Sequence, residues 1–287
     1  MGPLPWHCRG KTLTVGPRPL VMGIVNVTPD SFSDGGRFLE PAVAVEHGLR
    51  LAEEGADLLD VGGESTRPGS ESIPLEEELR RVVPVVQALA TRTGVPISVD
   101  TSKAEVARQC LDAGAAIIND VTGLRGDPEM PAVAAEFAAG VVVMHMQGTP
   151  ATMQQAPRYD DVVRDVGAFF AERLKTLAAA GIAPQSVALD PGIGFGKTQA
   201  HTLRLLANLD EYAQLGRPVC LGVSRKGFIG VLTGRDRGAR MPGSLAVAVA
   251  CATRNPAMVL RVHDVGPTRD AAILIEAIES HRDPIPF

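Results

Sequence analysis

The chain has 287 residues, 45% of them hydrophobic and 21% charged, with a formal net charge of −5. This is enough apolar chain for one large domain, and barrels of eight strands and eight helices run to about 250 residues as a single unit. The acidic balance and the 4% aromatic content exclude a polyanion-sized basic surface and a base-stacking platform, so no nucleic-acid partner is expected.

No stretch approaches the ~18 uninterrupted apolar residues of a membrane span, and no charged segment followed by an apolar run opens the chain. A soluble, cytoplasmic protein with no membrane association is the expectation. Cys8, Cys110, Cys220 and Cys251 lie far apart and match no zinc or redox spacing, so they read as buried or incidental thiols in a reducing compartment. Asn26-Val27-Thr28 fits the glycosylation triplet, but without a secretory signal and with Pro29 after it the match is accidental.

In chain order, residues 1–19 hold Pro3, Pro5 and a Gly-Pro pair, with weak alternation over Lys11 to Val15, and predict a short N-terminal β-hairpin. From residue 20 to 287, short β-branched runs alternate with longer Ala, Leu, Glu and Arg segments, the pattern of repeated βα units on a parallel sheet. Eight runs stand out: Val21–Val25, Asp57–Val61, Pro96–Val99, Ala115–Ile118, Val141–Met144, Val187–Leu189, Val219–Val223 and Met258–Val262. Between them Ala42–Glu54, Leu75–Ala90 (despite Pro84) and Val162–Ala180 carry helical spacing. Gly55, Gly114 and Gly181 stand where a left-handed helix stop favours glycine. The fold class expected is α/β, a single-domain (β/α)8 TIM barrel preceded by the hairpin.

Each run ends in polar residues. In order these are Asn26; Glu64-Ser65-Thr66-Arg67; Asp100; Asn119-Asp120; His145; Asp190; Ser224-Arg225-Lys226; and His263-Asp264, with Arg261 inside the last run. In a closed parallel barrel all these ends share one rim, where such folds place their chemistry. Asp100, Asn119 and Asp190 supply acceptors suited to a planar heterocycle rich in NH donors, whose guanidine-like edge pairs bidentately with a carboxylate. Arg67, Arg225, Lys226, Arg261 and His263 supply positive charge, much of it on the loops where barrels bind phosphate. An anionic, phosphorylated small molecule is implied.

Three other features read more plainly. Gly196-Lys197-Thr198 looks like the end of a phosphate loop, but Pro191 stands where that motif needs glycine. His145 reads as a hydrogen-bonded structural residue rather than a metal ligand. Glu76-Glu77-Glu78 followed by Arg80-Arg81 reads as a solvated helix face with local ion pairs.

The serial blocks VMGIVNVTPDSFSDGGRF (21–38), DVGGESTRPGS (60–70), ISVDTSKAEV (97–106), AIINDVTG (116–123), VMHMQGTPATM (143–153), LDPGIGFGKT (189–198), LGVSRKGFIG (221–230) and LRVHDV (260–265) resemble the motifs of the dihydropteroate synthases, in order over nearly the whole chain from about residue 20. The resemblance implies condensation of a dihydropterin diphosphate with p-aminobenzoate, loss of pyrophosphate, a Mg2+ cofactor and a homodimer. It implies pterin contacts from Asp100, Asn119, Asp190 and Lys226, with Met144, Phe195 and Gly222 as walls. By the same resemblance Asn26 lies near Mg2+ and the diphosphate, Arg261 and His263 form an anion-binding pair, and Thr66 and Arg67 reach the diphosphate. Phe32, Ser33, Thr66, Pro68 and Ser224 would surround p-aminobenzoate, and Asp34 would stabilise charge or orient the amine, acting in catalysis with Lys226, Arg261 and His263.

The chain departs from the family pattern at Gly227, where serine is more familiar, at His201-Thr202 and at Asn255-Pro256-Ala257. Gly227 leaves sensitivity to sulfonamide mimics of p-aminobenzoate open. Two alternatives also remain at this stage. One is a methyltetrahydrofolate:corrinoid methyltransferase on the same barrel, whose chemistry would not need the Ser31–Asp34 and Thr66–Pro68 loops. The other is a pterin-binding paralogue without turnover. The apolar stripe Ser244–Ala252 is a candidate dimer face.

Overall fold

The computed structural model describes residues 2–28, 40–67, 69–255 and 257–281. The chain opens with a hairpin of β1 (Leu4–Cys8) and β2 (Lys11–Val15), antiparallel with Leu4 opposite Val15. Its two-residue turn is Arg9 and Gly10, both at positive φ (47° and 75°), as the tight primed hairpin turns require.

Eight parallel strands then close into a barrel: β3 (Leu20–Asn26), β4 (Leu58–Gly62), β5 (Ile97–Asp100), β6 (Ile117–Asp120), β7 (Gly140–Met144), β8 (Val187–Asp190), β9 (Val219–Leu221) and β10 (Met258–Val262), with β10 pairing back onto β3. The helices between them are α1 (Glu40–Glu53), α2 (Leu75–Arg92), α3 (Ala104–Asp112), α4 (Met130–Glu136), α5 (Val162–Ala179), α6 (Gln199–Ala207), α7 (Gly227–Thr233), α8 (Met241–Ala252) and α9 (Val265–Glu279). This is the (β/α)8 barrel with N-terminal hairpin that the alternation predicts. Gly55, Gly114 and Gly181 all take positive φ after α1, α3 and α5. The run expected to reach Val223 stops pairing at Leu221, because the chain leaves the barrel wall there to form the loop that carries Ser224 and Lys226.

Side chains alternate across a strand, and the barrel uses both faces. Outward residues such as Val21, Val61, Val99, Val143 and Leu189 pack under the helices in one large cluster. Inward residues Met22, Leu58, Ile117, Val142, Ala188, Cys220 and Val259 form a second cluster with Trp6, Cys8 and Val15 of the hairpin. Trp6 is fully buried, and its indole N–H donates to the Ser186 carbonyl at 2.9 Å. The lower half of the barrel is thus filled and stoppered by the hairpin. All four cysteines are free and buried, as expected, and burial pushes the Cys8 and Cys110 thiols up to about 12.

Candidate active site

The strand pleat raises a polar layer directly above the apolar plug. Two residues on from the inward Met22, Leu58, Ile117, Val142, Ala188, Cys220 and Val259 come Ile24, Asp60, Asn119, Met144, Asp190, Gly222 and Arg261; the next steps on β3 and past β10 reach Asn26 and His263. Register aligns Asn26, Gly62, Asp100 and Asn119 across four neighbouring strands, and Met144 with Asp190. A Cβ at Gly62 would lie 3.3 Å from that of Asp100, so glycine leaves the acid its room. Above this layer opens a cavity of about 640 Å3, a volume suited to a small organic ligand.

At its base, Arg261 joins two carboxylates. Its Nε donates to Asp60 Oδ2 and its Nη2 to Asp100 Oδ2, both at 2.6 Å, while Asn119 Nδ2 donates to Asp60 Oδ2 at 3.1 Å. Burial pushes Asp100 up to about 7 against the pull of Arg261. Burial also works against the Arg261 charge, but Asp60 and Asp100 outweigh it and hold the guanidinium above its ordinary range. Asp60 Oδ1 is left as a buried acceptor without a partner among the described residues.

Across the cavity, Asp190 Oδ1 accepts from the Gly192 N–H at 2.7 Å; burial raises its carboxyl and Lys226 opposes the rise. Lys226 Nζ donates to the Ile193 carbonyl and stands 4.4 Å from the centre of the Phe195 ring. Burial lowers its ammonium to about 8, with Asp190 again opposing. The wall that carries Phe195 is pinned from behind. Lys197, 4% exposed, donates to the His145 and Phe195 carbonyls at 3.2 and 2.9 Å and lies 3.1 Å from His145 Nδ1. His145 therefore serves structure, and burial with Lys197 drives its imidazole down to about 3. Thr198 caps α6 by accepting from the His201 N–H at 3.2 Å. The Gly-Lys-Thr sequence thus splits into a wall support and a helix cap.

The rim is cationic. His263 Nδ1 meets Ser224 Oγ at 2.9 Å, and burial, then Arg261, lowers the imidazole to about 4. Arg67, Arg237 and Arg240 also line the cavity. Arg225 is committed elsewhere: it holds Asp264 through two hydrogen bonds, at 3.0 and 2.5 Å, and so ties the loop after β9 to the one after β10.

Of the residues singled out in the sequence, Asn26, Thr66, Arg67, Asp100, Asn119, Met144, Asp190, Phe195, Gly222, Ser224, Lys226, Arg261 and His263 all line this one cavity. Ser31, Phe32, Ser33, Asp34 and Pro68 lie outside the described residues. Sequence reading passed over Asp60, whose signal was an acid inside the apolar run Leu58–Val61, and met Lys197 only in the rejected phosphate-loop match. One expectation is corrected: Arg81, buried and donating to the Gly63 carbonyl at 2.9 Å, does not belong to a solvated face, and neither does Glu78. Glu78 is 1% exposed and paired with Lys103 and Thr101, whereas Glu77 keeps the local pairs with Arg80 and Arg81.

Comparison with known proteins agrees with this geometry. Residues 22–263 match the family described as pterin binding enzyme. The chain is 49% identical over 265 residues to the dihydropteroate synthase of Escherichia coli (strain K12), covering 92% of this chain and 93% of that one. Among solved structures, the Xanthomonas albilineans dihydropteroate synthase with 4-aminobenzoic acid superposes with a TM-score of 0.91 at 50% identity, covering 98% of this chain and 100% of that one. The same organism's enzyme in complex with 7,8-dihydropteroate gives a TM-score of 0.87 at 48% identity, with 97% and 100% covered. These comparisons do not favour the corrinoid methyltransferase or the non-catalytic alternative.

Proposed function

Because this chain belongs to the pterin-binding enzymes and, within them, to the dihydropteroate synthases, we propose that its barrel mouth divides into a buried pterin end and a cationic diphosphate rim. The enzyme is a transferase of folate biosynthesis: it condenses 7,8-dihydropterin-6-ylmethyl diphosphate with p-aminobenzoate to give 7,8-dihydropteroate and pyrophosphate. The observation that carries the division is the contrast, within one cavity, between the buried layer of Asp100, Asn119 and Asp190, with Arg261 bound to Asp100 in it, and the rim side chains Arg67, Arg237, Arg240 and His263.

In this reading the pterin's guanidine-like edge pairs with Asp190, Asn119 and Asp100 complete the ring contacts, and Lys226 donates to a ring acceptor. Met144, Phe195 and Gly222 bound the slot. The methylene carbon–oxygen bond breaks with its electron pair leaving on pyrophosphate, and the electron-rich pterin spreads the resulting positive charge. The amine nitrogen of p-aminobenzoate then bonds to the methylene and releases its proton. Arg261, His263, Asn26 and Arg67 stabilise the departing anion, Thr66 and Ser224 orient p-aminobenzoate, and no protein atom becomes covalently attached. Phe32, Ser33, Asp34 and Pro68 complete the p-aminobenzoate side of this proposal.

Mg2+ is part of the same reading. Among the described residues no group of three or more His, Cys, Asp or Glu stands ready to hold a metal. Asn26 lines the cavity and offers an amide oxygen, a hard donor that would hold a Mg2+ ion brought in with the diphosphate. When bound, the ion neutralises charge on the leaving group.

A homodimer is proposed on the exposed apolar side chains of α9, Ile273, Leu274 and Ile278, beside the Ser244–Ala252 stripe of α8, which packs against α9. Light scattering that returns only a monomer mass removes it. A reducing, cytoplasmic setting is consistent with the four free thiols. No helix among the described residues is long and apolar enough to cross a membrane.

The deciding experiment for the residue assignment follows pyrophosphate and dihydropteroate together, with Mg2+ and both substrates, in the wild type and in Asp190→Asn and Arg261→Ala. Stoichiometric products from the wild type and severe losses in both variants support the reading. Full turnover by either variant refutes its assigned role.

A further inference from the structure

Beside the substrate cavity, and sharing Glu64 with its lining, an ionic network underlies the loop that joins β4 to α2. Glu64, two residues past β4, accepts from Ser72 Oγ and the Ile73 N–H, both at 3.3 Å, so one carboxylate closes the base of that loop. The same Glu64 Oε2 accepts from Lys103 Nζ at 2.5 Å. Lys103 stands at the N-cap position of α3 and also reaches Glu78 Oε2 of α2 at 2.5 Å; the other Glu78 oxygen accepts from Thr101 at 2.7 Å. Burial works against the Lys103 charge, but hydrogen bonds to the two glutamates outweigh it and hold the ammonium above its ordinary range.

The described residues from Glu64 to Ile73 are all half-buried or exposed, and Ser70 Oγ ties the loop within itself to the Ser65 and Arg67 carbonyls. Under it lies a second cavity of about 240 Å3, bounded by Glu64, Ser65, Thr66, Thr101 and Thr149. On the far side the loop is tied to the segment after β7 by a hydrogen bond from the Gly69 N–H to the Pro150 carbonyl at 3.3 Å. A loop suspended over space takes its position from its polar ties. The strongest of these are the ion pairs at its base, and Thr66 and Arg67 sit only two and three residues beyond Glu64.

We propose that Lys103 is a positioning residue, clamping Glu64 to Glu78 and thereby setting where Thr66 and Arg67 stand over the substrate cavity. The proposal rests on the reading that this loop meets p-aminobenzoate and the diphosphate. Lys103 touches neither substrate; it acts through Glu64.

The test uses the full chain and measures KM for p-aminobenzoate, kcat, thermal midpoint, and calorimetric affinity for 6-hydroxymethyl-7,8-dihydropterin, which lacks the phosphates. Lys103→Met and the milder Glu64→Gln are each expected to raise KM for p-aminobenzoate about tenfold, the scale on which misplaced contacts act. Affinity for the unphosphorylated pterin stays within about twofold, and Lys103→Arg restores most of the KM. If Lys103→Met does not fold, Glu64→Gln carries the test. An equal loss of pterin affinity, or no rescue by arginine, makes the network merely structural and overturns the proposal. Unchanged KM in the network variants, with a raised KM in Thr66→Ala, refutes the clamp alone. Unchanged KM in all of them refutes the loop reading and the clamp with it.

Discussion

A carboxylate held at the bottom of a cavity is costly unless something offsets its lost hydration, and Asp190 shows both sides of that account. Burial raises its carboxyl, Lys226 and the Gly192 N–H oppose the rise, and the group remains where a pterin would meet it. Asp190→Asn keeps the bond from Gly192 but replaces an acceptor pair with an amide that donates on one side. Pterin affinity by calorimetry is expected to fall about 100-fold, the loss of a charge-assisted pair. The thermal midpoint is not expected to fall, because the desolvated charge is gone. Lys226 gives a pH signature. Its ammonium is lowered to about 8, and it donates only while protonated, so kcat/KM for the pterin diphosphate should decline as pH rises through about 8. Lys226→Met should be slow at all pH values and lack that limb. A wild-type profile flat to pH 9 would remove Lys226 from the role of donor.

At the scale of elements, the segment from Gly192 to Lys197 shows how backbone decides the site's shape. Gly192 has φ 65°, and a Cβ there would lie 2.0 Å from the His145 carbonyl oxygen. Gly192→Ala therefore has no small adjustment available. It should cost about 2 kcal/mol or more in unfolding free energy, measured by denaturant titration, and weaken pterin binding by displacing Phe195. The strands and the polar residue at each strand end were legible in the sequence because both follow from local pattern: β-branched runs for the first, the change from apolar to polar where each run stops for the second. The side chains that fix the walls were not. Lys197 finds His145 across 52 positions, and Arg237 and Arg240 reach the rim from beyond α7, so no spacing rule connects them to a strand end. Glu78 was misread for a related reason. An acidic triplet opening a helix is ordinarily solvated, and only the packing of α2 against α3 brings Lys103 to it. The family resemblance, in turn, supplied the substrates, which neither periodicity nor charge had specified.

Taken whole, the barrel is an asymmetric tube, with chemistry at the carboxyl ends of its strands and a dry stopper at the other end. The stopper is the N-terminal hairpin, and its contribution is separable from catalysis because the two lie at opposite ends. Trp6 fills the lower barrel and bonds to Ser186, while Arg9 in the turn donates to the Leu111 and Ala115 carbonyls and its own N–H to that of Ala138. The hairpin thus fastens the amino ends of several strands that are distant in sequence. Replacing Trp6 with alanine removes a large buried ring and leaves a cavity among Cys8, Val15, Ile117 and Val142. The expected loss is about 3–5 kcal/mol, which for a domain of this size lowers the thermal midpoint by about 6–20 °C. Affinity for 6-hydroxymethyl-7,8-dihydropterin, measured well below that midpoint, should be unchanged, since the polar layer from Asp60 to Arg261 does not depend on the hairpin. A variant that keeps its midpoint would show that the hairpin covers the barrel without holding it. Loss of pterin affinity in a still-folded variant would show instead that the plug sets the height of the polar layer above it.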